Sequence, residues 1–198
     1  MAKPRPVDGV RPTERLRPNA RRILAVRIDE VFQYDGIVAD PARVTELHDM
    51  RIACKRLRYL LEIFDVAFRS DLDPFLEQVK RLQDILGDIH DCDVQVPMLV
   101  EHLGWLEARE TEAMRVAVAP PARRPRAGTS GAAFTRFQSE ITVARRVDER
   151  AGIHALIAVR RAGREALYAT FLDEWRAMKR QRFRARLESA LGIASSSA

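Results

Sequence analysis

The chain has 198 residues, of which 46% are hydrophobic and 31% charged, and this apolar share excludes a wholly disordered protein. It carries 34 Lys and Arg against 28 Asp and Glu, and its two cysteines exclude a disulfide scaffold and a four-cysteine zinc site. No run of about 18 apolar residues predicts a membrane span, and the N-terminal segment lacks the apolar core of a signal peptide. We therefore expect a basic globular protein of a reducing compartment.

The charge is unevenly distributed along the chain. Residues 1–27 hold eight basic groups against two acids, and residues 160–186 hold nine against three. Residues 71–113 instead hold eleven acids against three basic groups. This segregation favours a polyanionic partner, and it is also typical of ordinary solvated helix faces.

The first part of the chain predicts a disordered lead-in followed by helices. Residues 1–12 are rich in Pro and Arg and predict the lead-in. Apolar periodicity then predicts helices over about residues 13–34, 41–68 and 71–87. A further helix is expected after Asp91, with Pro97 in its first turn.

The second part is interrupted by a loop. Residues 119–131, rich in Pro, Arg and Gly, show no apolar period and predict a loop or linker. Helical periodicity resumes at about Ala132 and strengthens from Ile153 to Leu191. Because no strand-like alternation extends beyond a few residues, the fold is predicted to be all-α, with one helical domain over residues 13–192.

The segment from Leu47 to Phe64 predicts a helix with an apolar face beside a polar one. At about 100° per residue, the apolar face carries Met50, Ala53, Cys54, Leu57, Leu60, Leu61 and Phe64. The polar face carries His48, Arg51, Lys55, Arg58, Tyr59 and Glu62. Like charges in a row repel, so such a row is stable when neighbouring acids or an anionic ligand neutralise it. The alternative is a solvated basic face paired with Asp49 and Glu62.

The next helix, from Phe75 to Val94, has the same two-faced pattern. Its polar face carries Lys80, Gln83, Asp84, Gly87 and His90. Gly87 costs a helix about 0.5–1 kcal/mol relative to Ala, which predicts a close backbone approach or a bend there. The run from His90 to Asp93 is a weak metal signal. We interpret His90 and Asp91 as structural residues and predict no metal site.

A third row lies near the C-terminus. The side chains that share one side of the predicted helix are Arg161, Arg164, Tyr168, Phe171, Trp175, Lys179, Arg182 and Arg186. One interpretation is an aromatic core stripe flanked by arginines whose tips reach water. The other is that the aromatic rings pack while the basic tips reach an anion.

Two motifs then carry a resemblance to a known family. The run from His48 to Arg58 has the form His-x-x-Arg-Ile-x-x-Lys-Arg-Leu-Arg, and it is followed by Leu82-Gln83-x-x-Leu86-Gly87-x-x-His90-Asp91-x-Asp93. In this order and spacing they resemble the CHAD domain, the conserved-histidine α-helical domain, in a short member of the family. The resemblance implies a bundle of long antiparallel helices with a basic-lined central channel or groove that binds inorganic polyphosphate. It also implies a cytoplasmic protein, since some family members are found on polyphosphate granules.

The resemblance also implies the ligand residues. By motif position these are His48, Arg51, Lys55, Arg56, Arg58, Tyr59 and Lys80. We further predict that Arg161, Arg164, Lys179, Arg182 and Arg186 complete the anion site. Family domains contain two similar halves, and here the second half is shortened and interrupted, so a homodimer would restore a complete channel.

The predicted function is therefore non-catalytic binding of polyphosphate, without a cofactor. No glycine-rich phosphate loop and no nucleophile with an obvious base are present. Nucleic acid or another polyanion is the second candidate ligand, although no base-reading motif is found. A metal-dependent phosphohydrolase ranks third, because its carboxylates would have to come from the single cluster Asp84, Asp88, Asp91 and Asp93.

Overall fold

The computed structural model describes residues 3–68, 72–118 and 149–193, and all regular structure within these ranges is helical. The helices are α1 (Leu16–Phe32), a short 3-10 helix (Ile37–Ala39), α2 (Val44–Phe68), α3 (Asp73–Val118), α4 (Glu149–Arg180) and α5 (Phe183–Leu191). The all-α prediction is confirmed. The loop predicted at 119–131 and the helical pattern from Ala132 to residue 148 lie outside the described residues.

The chain divides into two compact units. The first contains residues 1–93 and 163–198, and the second contains residues 94–162. In the first unit, contacts between neighbouring helices run in opposite residue order, which makes these helices antiparallel. The contacts that establish this order are Arg17–Phe68 and Glu30–Arg56 between α1 and α2, His48–His90 and Arg51–Gly87 between α2 and α3, and Gln78–Gln181 and Asp93–Arg164 between α3 and α4 with its C-terminal turn.

The centre of the first unit is apolar. Leu24, Leu57, Leu86 and Phe171 are at most 1% exposed, as the apolar arc of each helix predicts. Aromatic rings join the two ends of the chain, with the centroids of Phe32 and Trp175 5.1 Å apart. Because apolar side chains fill this interior, the basic rows lie on the outer faces of the helices.

One helix boundary was predicted wrongly in α3. The sequence predicts an end near Gly87 and a new first turn at Pro97, whereas α3 continues from Asp73 to Val118 with Pro97 inside it. Proline has no N–H, so the carbonyl of Asp93 loses its usual helical donor. Asp93 is also the last residue of the first unit before Val94. The helical periodicity on both sides of Pro97 outweighs this one lost bond.

The C-terminal helix was also predicted wrongly as one continuous helix. The chain breaks after Arg180, and Arg182 adopts a left-handed backbone with φ 54° and ψ 40° before α5 begins. This conformation is uncommon for a residue other than glycine. As a result, Arg182 and Arg186 do not continue the straight line of side chains that runs from Arg164 to Lys179.

The lead-in contacts α1 where the structure describes it. The backbone N–H of Arg5 donates to Glu30, and the Arg27 guanidinium donates to the carbonyl of Arg5 over 3.1 Å. Asn19 exchanges two hydrogen bonds with the backbone of Arg11, at 2.7 and 3.0 Å. These contacts attach the described part of the lead-in to the outer side of α1.

The second unit is formed in the described residues by the second half of α3 and the first half of α4. Arg150 pairs with Glu110, and Leu103 and Ile157 are buried. Trp105 is 52% exposed, and its ring contacts both His102 and Arg109. In neither unit does the described part of the chain contain a helix that is long and apolar enough to cross a membrane.

Candidate anion-binding site

The outer face of α2 carries the first predicted row. Lys55 and Tyr59 are exposed, whereas Arg51 and Arg58 are half-buried. The Tyr59 ring lies between two cations, with Lys55 Nζ 5.9 Å and Arg58 Cζ 5.6 Å from its centroid. Such cation–ring contacts are worth about 0.5–1 kcal/mol at exposed sites and hold long side chains in place. The row is therefore partly ordered and remains accessible from solvent.

Two histidines meet at the start of this row. The ring centroids of His48 on α2 and His90 on α3 are 4.7 Å apart, with an angle of 34° between the ring planes. Burial is the largest cause of the lowered pKa of His48, and the neighbouring His90 lowers this pKa further. Asp49 opposes them, and Arg51 adds a smaller lowering effect. His90 Nδ1 lies 3.4 Å from Asp91 Oδ1. His90 therefore lies beside the carboxylate of its sequence neighbour and also contacts the ring of His48.

The Arg51 side chain lies against α3 at Gly87. A Cβ atom added at Gly87 would lie 3.8 Å from Arg51 Nε, an ordinary van der Waals distance. The Arg51 side chain thus lies beside the bare backbone of α3, where a larger side chain would compete for its space. The sequence predicts a close backbone approach or a bend at Gly87, and the neighbour found there is the Arg51 side chain, at an ordinary distance.

Acids flank the far end of the row. Arg58 Nε donates to Glu62 Oε1 over 3.0 Å, one helical turn away. This hydrogen bond is the main cause of the raised pKa of Arg58, and the charge of Asp84 on α3 contributes more weakly. In contrast, no carboxylate of the described residues lies within 4 Å of Lys55 or Arg51. The cationic charge is therefore least compensated between His48 and Arg58.

Arg56 lies on another side of α2. Its guanidinium is 3.7 Å from Glu30 on α1, and it lines a polar cavity of about 250 Å³ together with Arg5 and Tyr34. Glu30 is only 2% exposed and also pairs with Arg27. The motif places Arg56 next to Lys55 in sequence, but one helical residue corresponds to about 100°, so the two side chains point to different neighbours.

Two members of the C-terminal row are paired with acids. Arg164 forms a bidentate pair with Asp93 and donates to the carbonyl of Pro41 over 3.0 Å. Lys179 Nζ lies 2.7 Å from Asp35 Oδ1, which also accepts from Trp175 Nε1 over 3.1 Å. Burial acts to raise the pKa of Asp35, but the hydrogen bonds from Lys179 and Trp175 outweigh it and the pKa is lowered. Both basic groups are thus largely neutralised within the protein.

The other members of that row lie elsewhere. Arg182 and Arg186 line a shallow open depression of about 500 Å³ at the junction of α4 and α5, and Arg186 Cζ is 5.5 Å from the Phe75 ring. Arg161 is exposed and belongs to the second unit. Lys80 is exposed on α3. The contacts therefore bring together His48, Arg51, Lys55, Arg58 and Tyr59, with His90 and Gly87 opposite them.

Sequence reasoning did not identify two of the acids that compensate basic side chains. Asp35 and Glu30 both lie in or near the first helix, far in sequence from the residues they pair with. Asp93 belongs to the second motif, but its pairing with Arg164 spans 71 positions. Helical periodicity indicates which face a residue occupies and does not indicate which residue of another helix faces it.

Two observations concern metal ligands and one of the two thiols. Nowhere in residues 3–68, 72–118 and 149–193 do three or more His, Cys, Asp or Glu converge to hold a metal ion. Burial raises the pKa of Cys54 to about 12, which leaves this thiol protonated and inert near neutral pH. The arrangement on α2 is suited instead to holding an anion by several cationic side chains.

The comparison with protein families gives one match. The model described as the CHAD domain matches residues 2–100, which are 99 of the 198 residues and include the whole of α2 and both motifs. The chain therefore belongs to the CHAD domain family, as the resemblance predicted. Neither the curated proteins nor the solved structures gave a match.

Proposed function

We propose that this CHAD domain protein binds inorganic polyphosphate, without catalysis, along the outer face of α2. The observation that carries the proposal is the row formed by Arg51, Lys55 and Arg58, which runs along α2 from the histidine pair. Lys80 on α3 is proposed as a further ligand. The family match covers this whole region. Membership of this family supports polyphosphate as the ligand, as the resemblance implies.

The geometry of the row suits a chain of phosphates. Residues one helical turn apart lie about 5–6 Å from each other, so a flexible anion that follows the helix axis meets one cation after another. Guanidinium groups bridge two oxygens of a phosphate, whereas the Lys55 ammonium acts as a point charge. Much of the affinity would come from released counterions, so binding should weaken steeply with salt.

Nucleic acid is the second candidate because of one observation. Tyr59 is 46% exposed within the cationic row, and an exposed aromatic ring beside cations is a platform on which a base can stack. Polyphosphate has no bases and would use the cations alone. Loss of the Tyr59 ring should therefore weaken binding of nucleic acid and have little effect on binding of polyphosphate.

The deciding experiment is a paired titration at fixed salt, with long-chain polyphosphate and with single-stranded RNA of equal charge. The wild type should prefer polyphosphate. Arg51→Ala with Lys55→Ala should weaken polyphosphate binding about tenfold or more and reduce the slope against log salt by about 1.4, or 0.7 per lost contact. Tyr59→Ala should leave polyphosphate affinity within about threefold, because the cation–ring contacts it removes are worth about 0.5–1 kcal/mol.

The matched control removes the same charge elsewhere. Arg43 and Arg176 are exposed and form surface ion pairs of 3.4–3.7 Å with carboxylates. Arg43→Ala with Arg176→Ala therefore gives the same net charge as the test variant. Equal losses in the two double variants would mean diffuse attraction to a basic protein and would contradict the proposed site. A preference for RNA that disappears in Tyr59→Ala would favour the nucleic-acid alternative.

The proposal also concerns the cellular location of the protein and its oligomeric state. Under it the protein works in the cytoplasm and co-sediments with polyphosphate granules, and a homodimer supplies a second basic row. Granule fractionation from cells with and without stored polyphosphate tests the first statement. Light scattering of the purified protein with and without polyphosphate tests the second.

A further inference from the structure

A row of acids runs along α3 beside the cationic row. Asp84, Asp88 and Asp91 are exposed and are spaced four and three residues apart, so they share one side of the helix. Gly87 lies among them in sequence and faces Arg51. On one side, the cationic row of α2 is therefore bordered by helix α3 with its acids.

Two contacts turn this side of α3 toward the proposed site, because Gly87 lies beside Arg51 and the ring of His90 lies against His48. The charge of Asp84 also contributes weakly to the raised pKa of Arg58. Asp91 contacts His90, whose ring in turn lies against His48. The three acids thus lie on the side of α3 that borders the cationic row. Packed helix axes lie about 8–10 Å apart, which sets the approximate spacing of the two rows.

We propose that the acidic row Asp84, Asp88 and Asp91 makes the site selective for a thin, unbranched phosphate chain and against nucleic acid. The inference rests on the proposed function and names the class of polyanion that the site accepts. A bare phosphate chain can lie along α2 and keep away from the acids of α3. Nucleic acid brings sugars and bases with its phosphates and must cover both helices.

The distances make this discrimination effective. Like charges about 8 Å apart still interact at physiological salt, where the Debye length is about 8 Å. A duplex is wide, since its major groove alone measures about 12 Å, so its phosphates would lie over the acidic row. Juxtaposed like charges suppress wrong partners more than they affect the right one. The acids therefore reduce affinity for wide polyanions selectively.

The test is Asp84→Asn with Asp88→Asn, which removes two charges and leaves Asp91 and the histidine pair intact. Affinity for duplex RNA should rise about tenfold, while affinity for long-chain polyphosphate should rise by less than about threefold. Both side chains are exposed, so circular dichroism should show unchanged helicity. Asp91→Asn alone should change the same ratio in the same direction by a smaller factor.

The control is Glu165→Gln with Asp173→Asn, which removes two exposed acids from α4 and changes the net charge equally. This control should raise the affinities for RNA and polyphosphate by the same small factor. Equal gains for both ligands in the Asp84/Asp88 variant would overturn the inference and leave the proposed function intact. A wild type without measurable polyphosphate binding would instead overturn the proposed function.

Discussion

On α2, Lys55 extends into solvent beside an aromatic ring, whereas on α4 Arg164 and Lys179 reach the carboxylates of Asp93 and Asp35. The two rows look alike in sequence, since each mixes basic and aromatic residues at helical spacing. The side chains of the two rows nevertheless have different contacts. The α2 row leaves cationic charge available to a ligand, and the paired members of the α4 row connect helices and loops within the first unit.

The difference shows that the availability of a basic side chain to a ligand depends more on its acidic partner than on the helix face that it occupies. A paired and partly buried arginine can bind an outside anion only by leaving its carboxylate, which then remains uncompensated. An exposed lysine that is not paired with a carboxylate can bind an anion without leaving an acid uncompensated. Four predictions test whether the two rows differ in this way.

The largest effect is expected on stability, from the pair Asp93–Arg164. Their side chains are only 12% and 18% exposed, so Asp93→Asn leaves a partly buried guanidinium without its carboxylate. We expect the free energy of unfolding to fall by about 3 kcal/mol, measured by urea denaturation. The control is Asp173→Asn, whose partner Arg176 is 3.7 Å away at an exposed position, with an expected loss of about 0.5 kcal/mol or less. Equal losses would show that Arg164 is no more structural than a surface arginine.

The second prediction concerns polyphosphate binding by the C-terminal row, through Lys179 on α4 and Arg182 in the break that follows α4. Lys179→Ala with Arg182→Ala should weaken binding by less than about threefold, because Lys179 is paired with Asp35 and a screened surface charge contributes little. Arg123→Ala with Arg124→Ala gives the baseline for general attraction to a basic chain. A loss as large as that of the Arg51/Lys55 variant would mean that the α4 row completes the anion site, as the sequence predicts.

The third prediction is a pH dependence at the start of the α2 row. Because the pKa of His48 is lowered from 6.5, this side chain is neutral at pH 7.5 and gains charge only as the pH falls below about 6.5. Charged His48 attracts phosphate, so polyphosphate binding should tighten about fivefold between pH 7.5 and 5.5. His48→Gln should flatten this change, whereas His154→Gln, at an exposed position, should not.

The same shift affects the unliganded protein with a defined sign. The unfolded chain binds a proton at His48 more readily than the folded protein does, so the stability contributed by neutral His48 is present above about pH 6.5. It is lost as the pH falls from there through the lower folded pKa. Polyphosphate should offset this loss, and a melting temperature that rises on acidification without ligand would contradict the assignment.

The helices and the α2 row were predictable from sequence because they depend on local periodicity. Helical spacing alone groups His48, Arg51, Lys55 and Arg58 on one face, and the motifs identify the family. The pairs were not predictable, since Asp35 and Lys179 are 144 positions apart and meet only through the packing of the bundle. The break at Arg182 was missed for a related reason. Arginine has no intrinsic preference for a left-handed backbone, so tertiary packing has to impose it.

The smallest effect is expected at Gly87, where α2 and α3 come together at the site. An added Cβ would be 3.8 Å from Arg51 Nε, so alanine fits without displacing the guanidinium. Gly87→Ala should therefore stabilise the protein by about 0.5–1 kcal/mol through helix propensity. Its polyphosphate affinity should stay within about twofold of wild type, because Arg51 keeps its place.

Gly87→Leu is the sharper comparison, since a longer side chain occupies the space beside α3 that Arg51 uses. We expect this variant to weaken polyphosphate binding and to reduce its salt slope by about 0.7, the contribution of one phosphate contact. An unchanged slope in Gly87→Leu would show that Arg51 contributes no contact, and the α2 row would then depend on Lys55 and Arg58.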